Sequence, residues 1–255
     1  MELDDSITIV YKTYKQDLEW IYYSLLSLKK YVKGIYTIII YCHDECCGEL
    51  YELINRINLV CTIIPVHYNY HGYLKQMVIK ANCFNDVKTK YIAIIDSDNI
   101  FNVEFNIKDL IEPSGKIIWR YTNIINDAKV WRESYENMTK TPQNIHYMAN
   151  GFPFVLTTKS MSDAYTKFQE IHGVDYDTFC NNGCNKYNIR VEDPITGVNG
   201  RFLDLAKIFE EFEWLGYYCH NFSEDYIFIS NKIIQYWSHG GLTPDIKKQI
   251  EDILH

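Results

Sequence analysis

The sequence lacks two features that would point to a membrane or to a nucleic acid. No apolar run approaches bilayer-spanning length, and no run of lysine and arginine stands out in a chain of formal charge −8. Without a basic patch there is no electrostatic footprint for a phosphate backbone or an anionic membrane surface. Residues 1–5 are acidic and lack the basic and apolar segments of a signal peptide. We therefore expect a cytoplasmic protein with no membrane anchor and no nucleic-acid partner.

Several catalytic and metal-binding motifs are also absent. The sequence contains no Gly-x-Gly-x-x-Gly after a strand, no Walker A loop and no Gly-x-Ser-x-Gly elbow, which disfavours dehydrogenases, P-loop ATPases and α/β-hydrolases. The eight cysteines, with His67 and His71, do not show the spacing of a four-ligand zinc site. Cys42 and Cys61 lie inside apolar runs, which indicates reduced core thiols rather than a disulfide framework.

Apolar and aromatic residues are plentiful. They reach 47% and 15% of the 255 residues, which excludes a disordered chain and allows a large core. Tyrosine alone occurs 22 times. Surface tyrosines would suit stacking on sugars or bases, but a low-GC coding bias explains the same number.

The first half of the chain alternates buried apolar runs with helical patterns. The run at residues 7–11 is β-branched and too continuous to have a solvent face, as in a buried parallel strand. Further runs predict strands at residues 36–42, 59–64, stopped by Pro65, and 91–95, and helical spacing predicts helices at residues 18–32, 48–57 and 73–84. This alternation predicts an α/β fold with a mainly parallel sheet flanked by helices, in a single domain.

The later half is less regular. Residues 116–120 predict a strand, and residues 160–171 and 202–214 predict helices. The Asn- and Gly-rich residues 181–200 predict a flexible loop. This half also carries aromatic residues that suit either a sugar-stacking surface or the core, namely Trp119, Tyr121, Trp131, Tyr147, Phe152 and Trp214.

Asp96 and Asp98 follow the last predicted strand of the first half directly. In open parallel sheets ligands bind outside the carboxyl ends of the strands. Two carboxylates one residue apart can converge on Mg²⁺ or Mn²⁺ and leave coordination positions for phosphate. The alternative is that Asp96-Ser97-Asp98-Asn99 only makes an Asx turn.

Gln76 and Lys80 are four residues apart on the preceding helix and face the same way. Lys80 can neutralise a phosphate, and Gln76 can hydrogen-bond a base, ribose or sugar hydroxyl near the same cleft. An ordinary solvated helix face is the alternative interpretation.

The strand at residues 7–11, the helix at residues 72–80 and the strand with its DxD motif at residues 91–98 together resemble the nucleotide-sugar half of GT-A glycosyltransferases. The small cytosolic glycosyltransferases encoded by algal large DNA viruses (chlorovirus type) are similar. The resemblance covers residues 1–120 and extends to residues 222–226 and 237–241. It implies one GT-A (Rossmann-like) domain over residues 1–255, with a nucleotide-sugar-binding half (1–120) and an acceptor-binding half (121–255).

The resemblance also implies ligands for this site. It places a nucleotide-sugar donor, expected to be UDP-linked, and Mn²⁺ or Mg²⁺ at Asp96 and Asp98, with Ser97 between them. Thr13 and Tyr14 would lie near uridine, and Asp44 would be a further nucleoside contact. In several GT-A families a histidine near the C-terminus completes the metal shell, and His239 is the matching residue. His239 could equally be a turn histidine beside glycines.

Glu224 and Asp225 resemble the segment in which inverting GT-A enzymes place the catalytic base. Asp225 is the first choice for that role, and the alternative is that both acids begin a helix. The resemblance thus implies an inverting hexosyltransferase acting on a glycan or another hydroxyl acceptor, which includes a glycan carried by a protein. Two rivals remain: a sugar nucleotidyltransferase and a non-catalytic carbohydrate-binding protein. Residues 12–16 contain no glycine, unlike the loop that cradles a triphosphate in nucleotidyltransferases.

Overall fold

The computed structural model of the protein describes residues 4–34, 36–123, 129–148, 153–193, 201–230 and 242–254. The strands in chain order are β1 (Asp4–Thr13), β2 (Val32–Lys33), β3 (Tyr36–His43), β4 (Thr62–Val66), β5 (Thr89–Asp96), β6 (Phe105–Asn106), β7 (Ile117–Asn123), β8 (Ile145–His146), β9 (Phe154–Thr157) and β10 (Tyr226–Ser230). The helices are α1 (Leu18–Tyr31), α2 (Cys47–Ile57), α3 (Gly72–Asn82), α4 (Lys129–Thr139), α5 (Thr158–His172), α6 (Tyr176–Lys186), α7 (Arg201–Ala206), α8 (Glu211–Phe222) and α9 (Pro244–Leu254).

The central sheet has the strand order β4-β3-β1-β5-β9. Its first four strands are parallel and β9 is antiparallel to β5. Ile9 and Val10 in β1 and Ile94 in β5 are fully buried, as the continuous apolar runs predict for a sheet covered on both faces. The mainly parallel α/β sheet predicted from the sequence is therefore confirmed.

The connections make a switch point between β1 and β5. The chain runs from β1 to β3 and then to β4, and afterwards returns through α3 to β5 on the other side of β1. Because crossover connections are right-handed, this reversal puts α3 on the opposite face from α1 and α2. Accordingly α1 packs beside α2, whereas α3 packs beside α5, α6 and α8. Such a reversal leaves a crevice at the carboxyl ends of the two strands that flank it.

A smaller sheet joins β10, β7 and β8, with β7 parallel to β10. Trp119 in β7 is buried, and its ring lies 5.4 Å from the ring of Phe154 in the central sheet. The strand predicted at residues 116–120 is thus confirmed and extends to Asn123. Of the other aromatic residues predicted to face an acceptor or the core, Tyr147 and Trp214 are buried and Tyr121 and Trp131 are half-buried. Phe152 lies outside the described residues.

Three predicted elements need correction. The helix predicted at residues 202–214 is two helices, because the side chain of Glu210 accepts a hydrogen bond from the backbone of Glu213 and starts α8 anew. Residues 181–186, predicted as loop, complete α6. Pro65 does not stop its strand but lies within β4, where an edge position tolerates a residue without an N–H donor.

No helix among the residues that the structure describes combines the length and the apolar character required to cross a bilayer.

Candidate functional site

The switch point brings the ends of β1 and β5 together. Lys12 near the end of β1 is the register partner of Asp96, the last residue of β5. Residues 96–99 then form a turn, in which the Asn99 backbone N–H donates to the Asp96 carbonyl at 3.1 Å. The Asp96 N–H donates in turn to the side-chain oxygen of Asn99 at 3.3 Å. Asn99 thus closes the turn by accepting from a backbone N–H three residues earlier, which is not an Asx turn, and neither hydrogen bond uses a carboxylate of Asp96 or Asp98.

Lys80 on α3 connects Asp96 to a second carboxylate. Its Nζ atom lies 2.7 Å from Asp96 Oδ1 and 2.8 Å from Glu211 Oε1. Lys80 and Glu211 are both buried, and the Asp96 side chain is 27% exposed. The other oxygen of Asp96 has no side-chain partner within the described part of the chain. Gln76, one turn before Lys80 on α3, is half-buried, and its contact with a base, ribose or sugar stays a prediction.

Asp98 and Asp17 add two further carboxylates. Asp98 is exposed at the turn, yet partial burial and then repulsion from Asp96 raise its pKa. The hydroxyl of Ser97 donates to Asp17 Oδ2 at 3.1 Å. Burial raises the pKa of Asp17 to about 6, and the neighbouring Asp98 and Asp96 add to the increase. The site is therefore crowded with negative charge, which a bound cation would relieve.

Lys12 and two tyrosines form the β1 side of the site. The Lys12 Nζ atom lies 4.9 Å from the ring centroid of Tyr14 and 5.1 Å from that of Tyr68. Burial lowers the pKa of Lys12 to about 8, with Asp17 opposing the change. Gly72 permits this packing, because a Cβ atom there would lie 3.0 Å from the Tyr68 ring.

Two buried hydroxyl groups, one at the end of β1 and one on Tyr68, have no partner in the described part of the chain. Thr13 Oγ1 and Tyr68 Oη make no hydrogen bond within the described residues. Buried polar atoms are nearly always paired, so unpaired ones suggest that a ligand supplies the missing partner. Of the two residues predicted to contact the donor, Tyr14 lies near Asp98, and Thr13 carries one of the unpaired hydroxyls.

Asp44 lies further along the same edge, after β3. Its Oδ1 and Oδ2 atoms are each 3.2 Å from a ring nitrogen, of His43 and of His67 respectively. The hydrogen bond from His67 is the main reason that the pKa of Asp44 is lowered. The His43 ring also contacts the Tyr68 ring, with centroids 4.4 Å apart. Asp44 therefore belongs to the edge that carries Tyr14 and Asp98, separated from them by His43 and Tyr68.

Glu224 and Asp225, predicted to include the catalytic base, lie at the other end of the sheet. Tyr226, the next residue, accepts a hydrogen bond from the Thr157 backbone at 3.1 Å, and Thr157 pairs with Tyr91 near the start of β5. Tyr91 is five residues before Asp96 in β5, so this contact lies roughly 17 Å from Asp96 at about 3.3 Å per residue. The structure therefore does not bring Glu224 and Asp225 to Asp96, and their role as the base stays a prediction. His239, the predicted third metal ligand, lies outside the described residues.

The site contains residues that the sequence reasoning missed. Asp17 and Lys12 lie in a polar segment that was expected only to precede α1. Glu211, which contacts Lys80, was missed as well, and like its neighbours Glu210 and Glu213 it is buried to within 1% of complete burial. Their segment, Phe-Glu-Glu-Phe-Glu-Trp, places acids among large apolar residues inside a predicted helix. Acidic and large apolar residues therefore occur on the same side of the helix, and this pattern could have indicated that the acids are buried. An exposed acidic face would not be interrupted by Phe and Trp.

The fit of a divalent cation can be tested on these residues. Within the described ranges, no three His, Cys, Asp or Glu side chains are close enough to hold a metal ion by themselves. Mg²⁺ sites often use only one or two carboxylates and complete their shell with phosphate oxygens and water. Asp96, with one unpaired oxygen, and the exposed Asp98 fit that kind of shared site. They do not form an all-protein cage.

Comparisons with known proteins give a family but no activity. No curated protein matches the sequence. A family model described as a family of unknown function (DUF6492) matches residues 22–224, a range that includes Lys80, Asp96, Asp98 and Glu211 but not Lys12 to Asp17. Because this match covers most of the 255 residues, the chain belongs to the DUF6492 family.

Proposed function

We propose that the protein is a metal-dependent glycosyltransferase of the GT-A type. It moves a hexose from a nucleotide-sugar, preferably UDP-linked, to a hydroxyl group of a glycan or another acceptor. The observation that carries the proposal is the pair Asp96 and Asp98 at the carboxyl end of β5, beside the switch point of a mainly parallel sheet. Carboxylates at that position suit a cation shared with a diphosphate.

The residues around the pair have distinct roles in this proposal. Asp96 and Asp98 would hold the cation, whose chemical contribution would be to stabilise the negative charge on the departing diphosphate. Lys80 fixes Asp96 through the 2.7 Å ion pair and prevents its side chain from turning away. Thr13, Tyr14 and Tyr68 offer unpaired hydroxyls and an aromatic ring to the nucleoside. Asp44 is a further nucleoside contact in this proposal, and Gln76 hydrogen-bonds the base, ribose or a sugar hydroxyl.

The proposed reaction belongs in the cytoplasm. All eight cysteines are free thiols, which suits a reducing compartment. A sugar nucleotidyltransferase remains the first rival, although residues 12–16 contain no glycine to wrap a triphosphate. Release of pyrophosphate from a nucleoside triphosphate and a sugar phosphate would favour that rival.

A combined binding and hydrolysis screen tests the proposal. The purified chain is incubated with UDP-, GDP- and CMP-sugars, each with Mn²⁺, with Mg²⁺ or with EDTA. Thermal shift reports binding, and release of the free nucleotide reports reaction. We expect UDP and one UDP-sugar to stabilise the chain only when a divalent cation is present. We also expect slow, metal-dependent hydrolysis of that UDP-sugar.

Asp98→Asn and Asp109→Asn make a matched pair of variants for this screen. Both replace an exposed aspartate by its amide, but Asp109 follows β6, away from the site. Asp98→Asn should lose the metal-dependent part of the thermal shift, and Asp109→Asn should keep it. The proposal fails if UDP stabilises the chain regardless of metal and of Asp98, or if no nucleotide-sugar is bound or hydrolysed.

A further inference from the structure

Glu211 is a buried carboxylate that is only half satisfied. It begins α8 and is 1% exposed. Its Oε1 atom accepts from Lys80 at 2.8 Å, but Oε2 has no hydrogen-bond partner within the described residues. A buried charged oxygen without a donor is costly and rare in folded proteins. An unpaired oxygen at this position is therefore suited to accept a hydrogen bond from a ligand.

The two neighbouring glutamates do not share this property. Glu210 Oε2 accepts a hydrogen bond from the Glu213 backbone and caps α8, and burial raises the pKa of Glu210 well above its usual range. Glu213 accepts from the Gln143 side chain at 3.1 Å and from the backbone of Tyr147 at 3.3 Å. Both residues thus have roles inside the fold. Glu211 alone of the three combines a fixed counter-ion with an unpaired oxygen.

Glu211 is also close to the carboxylate that the donor would use. Asp96 Oδ1 and Glu211 Oε1 are 2.7 Å and 2.8 Å from the same Lys80 nitrogen, so these oxygens are at most 5.5 Å apart. Asp96 would help to hold the cation that neutralises the donor's diphosphate, so the donor would be bound beside this carboxylate. Glu211 is therefore within a few ångströms of the carboxylate at which the donor would bind.

We propose that Glu211 is the catalytic base of the transfer reaction, a role that rests on the proposed function and that the sequence had suggested for Asp225. Its Oε2 atom accepts the proton of the acceptor hydroxyl while that oxygen bonds to the anomeric carbon of the sugar. The bond from this carbon to the phosphate oxygen breaks, and its electron pair leaves with the diphosphate. Because Glu211 is 1% exposed, its proton then passes to water that enters the site as the product departs. The displacement is direct, so the anomeric configuration inverts.

Lys80 makes this arrangement workable. It holds the Glu211 carboxylate in one orientation through Oε1 and leaves Oε2 for the acceptor. The same ammonium group also contacts Asp96. One side chain thus positions both the base for the attacking hydroxyl and the carboxylate beside the departing diphosphate. A purely structural Glu211 would need only the contact to Lys80.

Glu211→Gln separates the two roles, because the amide oxygen can still accept from Lys80 but the group can no longer take a proton. The assay is hydrolysis of the UDP-sugar that the wild-type chain cleaves fastest, with Mn²⁺, and water serves as the acceptor. We expect kcat to fall about 100-fold or more, the usual contribution of a positioned base. KM for the UDP-sugar should change less than about threefold, since donor binding does not use Oε2. For the same reason the thermal shift with UDP and Mn²⁺ should change by less than about 2 °C.

Glu210→Gln is the matched control, as it changes the adjacent buried glutamate in the same way and should leave kcat within about threefold of wild type. Glu211→Asp keeps the charge but shortens the side chain by one methylene, and it should lower kcat at least about tenfold.

The inference is overturned if Glu211→Gln retains more than about a third of the wild-type kcat, or if it loses UDP–Mn²⁺ binding together with activity. If the wild-type chain neither binds nor hydrolyses any nucleotide-sugar, the proposed function fails and this role fails with it.

Discussion

Lys80 lies 2.7 Å from Asp96, and neither residue finds its partner nearby in sequence. The ammonium group is also shared with Glu211, which lies 131 residues further along the chain. Burial by itself would lower the pKa of Lys80, but the carboxylates of Asp96 and Glu211 outweigh burial and raise it. Lys80 therefore stays charged and joins α3, β5 and α8 at the candidate site.

Replacing Lys80 by methionine should destabilise the fold strongly. The change keeps the length of the side chain but leaves two carboxylates without their shared counter-ion. Breaking a buried ion pair by removing one partner costs about 3–5 kcal/mol. We expect a loss of that size in the free energy of unfolding, measured by urea denaturation at pH 7.5.

Lys15→Met is the control for this experiment. The Lys15–Glu49 pair is separated by 3.3 Å, but its side chains are 65% and 57% exposed. Exposed pairs contribute less than about 1 kcal/mol. If Lys80→Met were as stable as Lys15→Met, Asp96 and Glu211 would not depend on Lys80 for their charge balance.

Asp17 should make the fold less stable as the pH rises from 4 to 6. Its pKa is raised from 3.8 to about 6, first by burial, so the folded state binds a proton more tightly than the unfolded state does. A group of this kind favours folding when protonated, and the benefit is lost as the pH passes the folded pKa. The difference between a pKa of 3.8 and one of about 6 corresponds to a loss of about 3 kcal/mol in the free energy of unfolding, which is complete at pH 7.5.

Asp17→Asn removes the charge and retains an oxygen that can accept the Ser97 hydroxyl. The variant should be more stable than the wild type by up to about 3 kcal/mol at pH 7.5, and by less than about 1 kcal/mol at pH 4. Urea denaturation in EDTA at the two pH values measures the difference. A gain of equal size at both pH values would mean that titration of Asp17 is not its cause.

The central sheet could be predicted because its signals are local. Continuous β-branched runs, such as the one ending at Tyr11, can only be buried on both faces, and the intervening helices follow from apolar spacing. The position of Asp96 and Asp98 at a carboxyl strand end followed from the same local pattern. No long-range information was needed for either.

The rest of the site depends on partners that are distant in sequence. Glu211 is buried because Lys80 meets it across 131 residues, and no spacing rule connects the two. Likewise Glu224 and Asp225 carry a plausible acidic pattern, but only the sheet topology reveals which end of β5 they occupy. Charged residues in helices are normally exposed, so sequence patterns favour a solvated face for the segment that actually lies inside.

The thiols provide a test of the core. Cys47 and Cys61 are half-buried, whereas the other six cysteines are buried. Burial raises the pKa of Cys61 to about 11 and also raises the pKa of Cys47, which disfavours the reactive thiolate of both. With a colorimetric disulfide reagent at pH 8 we expect no more than two thiols to react slowly in the folded chain. All eight should react after denaturation without a reductant.

Cys61→Ser should reduce the number that react in the folded chain to one. If some thiols appeared only after reduction, the chain would contain disulfides and the reduced core would be excluded. Rapid reaction of all eight in the folded chain would instead show that the helices do not cover the sheet as described.

Gly216 in α8 should not tolerate alanine. A Cβ atom there would lie 2.4 Å from the Cβ atom of Tyr147, so no side-chain rotation relieves the contact. Tyr147 cannot withdraw easily, because its backbone carbonyl accepts from the Trp119 indole at 3.1 Å and its backbone N–H donates to Glu213. Overpacking of this kind costs about 1–3 kcal/mol, which we expect to see in the free energy of unfolding.

Gly48 in α2 is the contrasting position, since a Cβ atom there would meet nothing within 4 Å. Gly48→Ala should stabilise the chain by about 0.5–1 kcal/mol, because alanine loses less conformational freedom in a helix than glycine does. The two variants make the same chemical change, so the opposite signs isolate the packing of α8 against Tyr147. A Gly216→Ala variant as stable as Gly48→Ala would mean that α8 is not seated against Tyr147, and Glu211 at the start of α8 would then lose its fixed distance from Asp96.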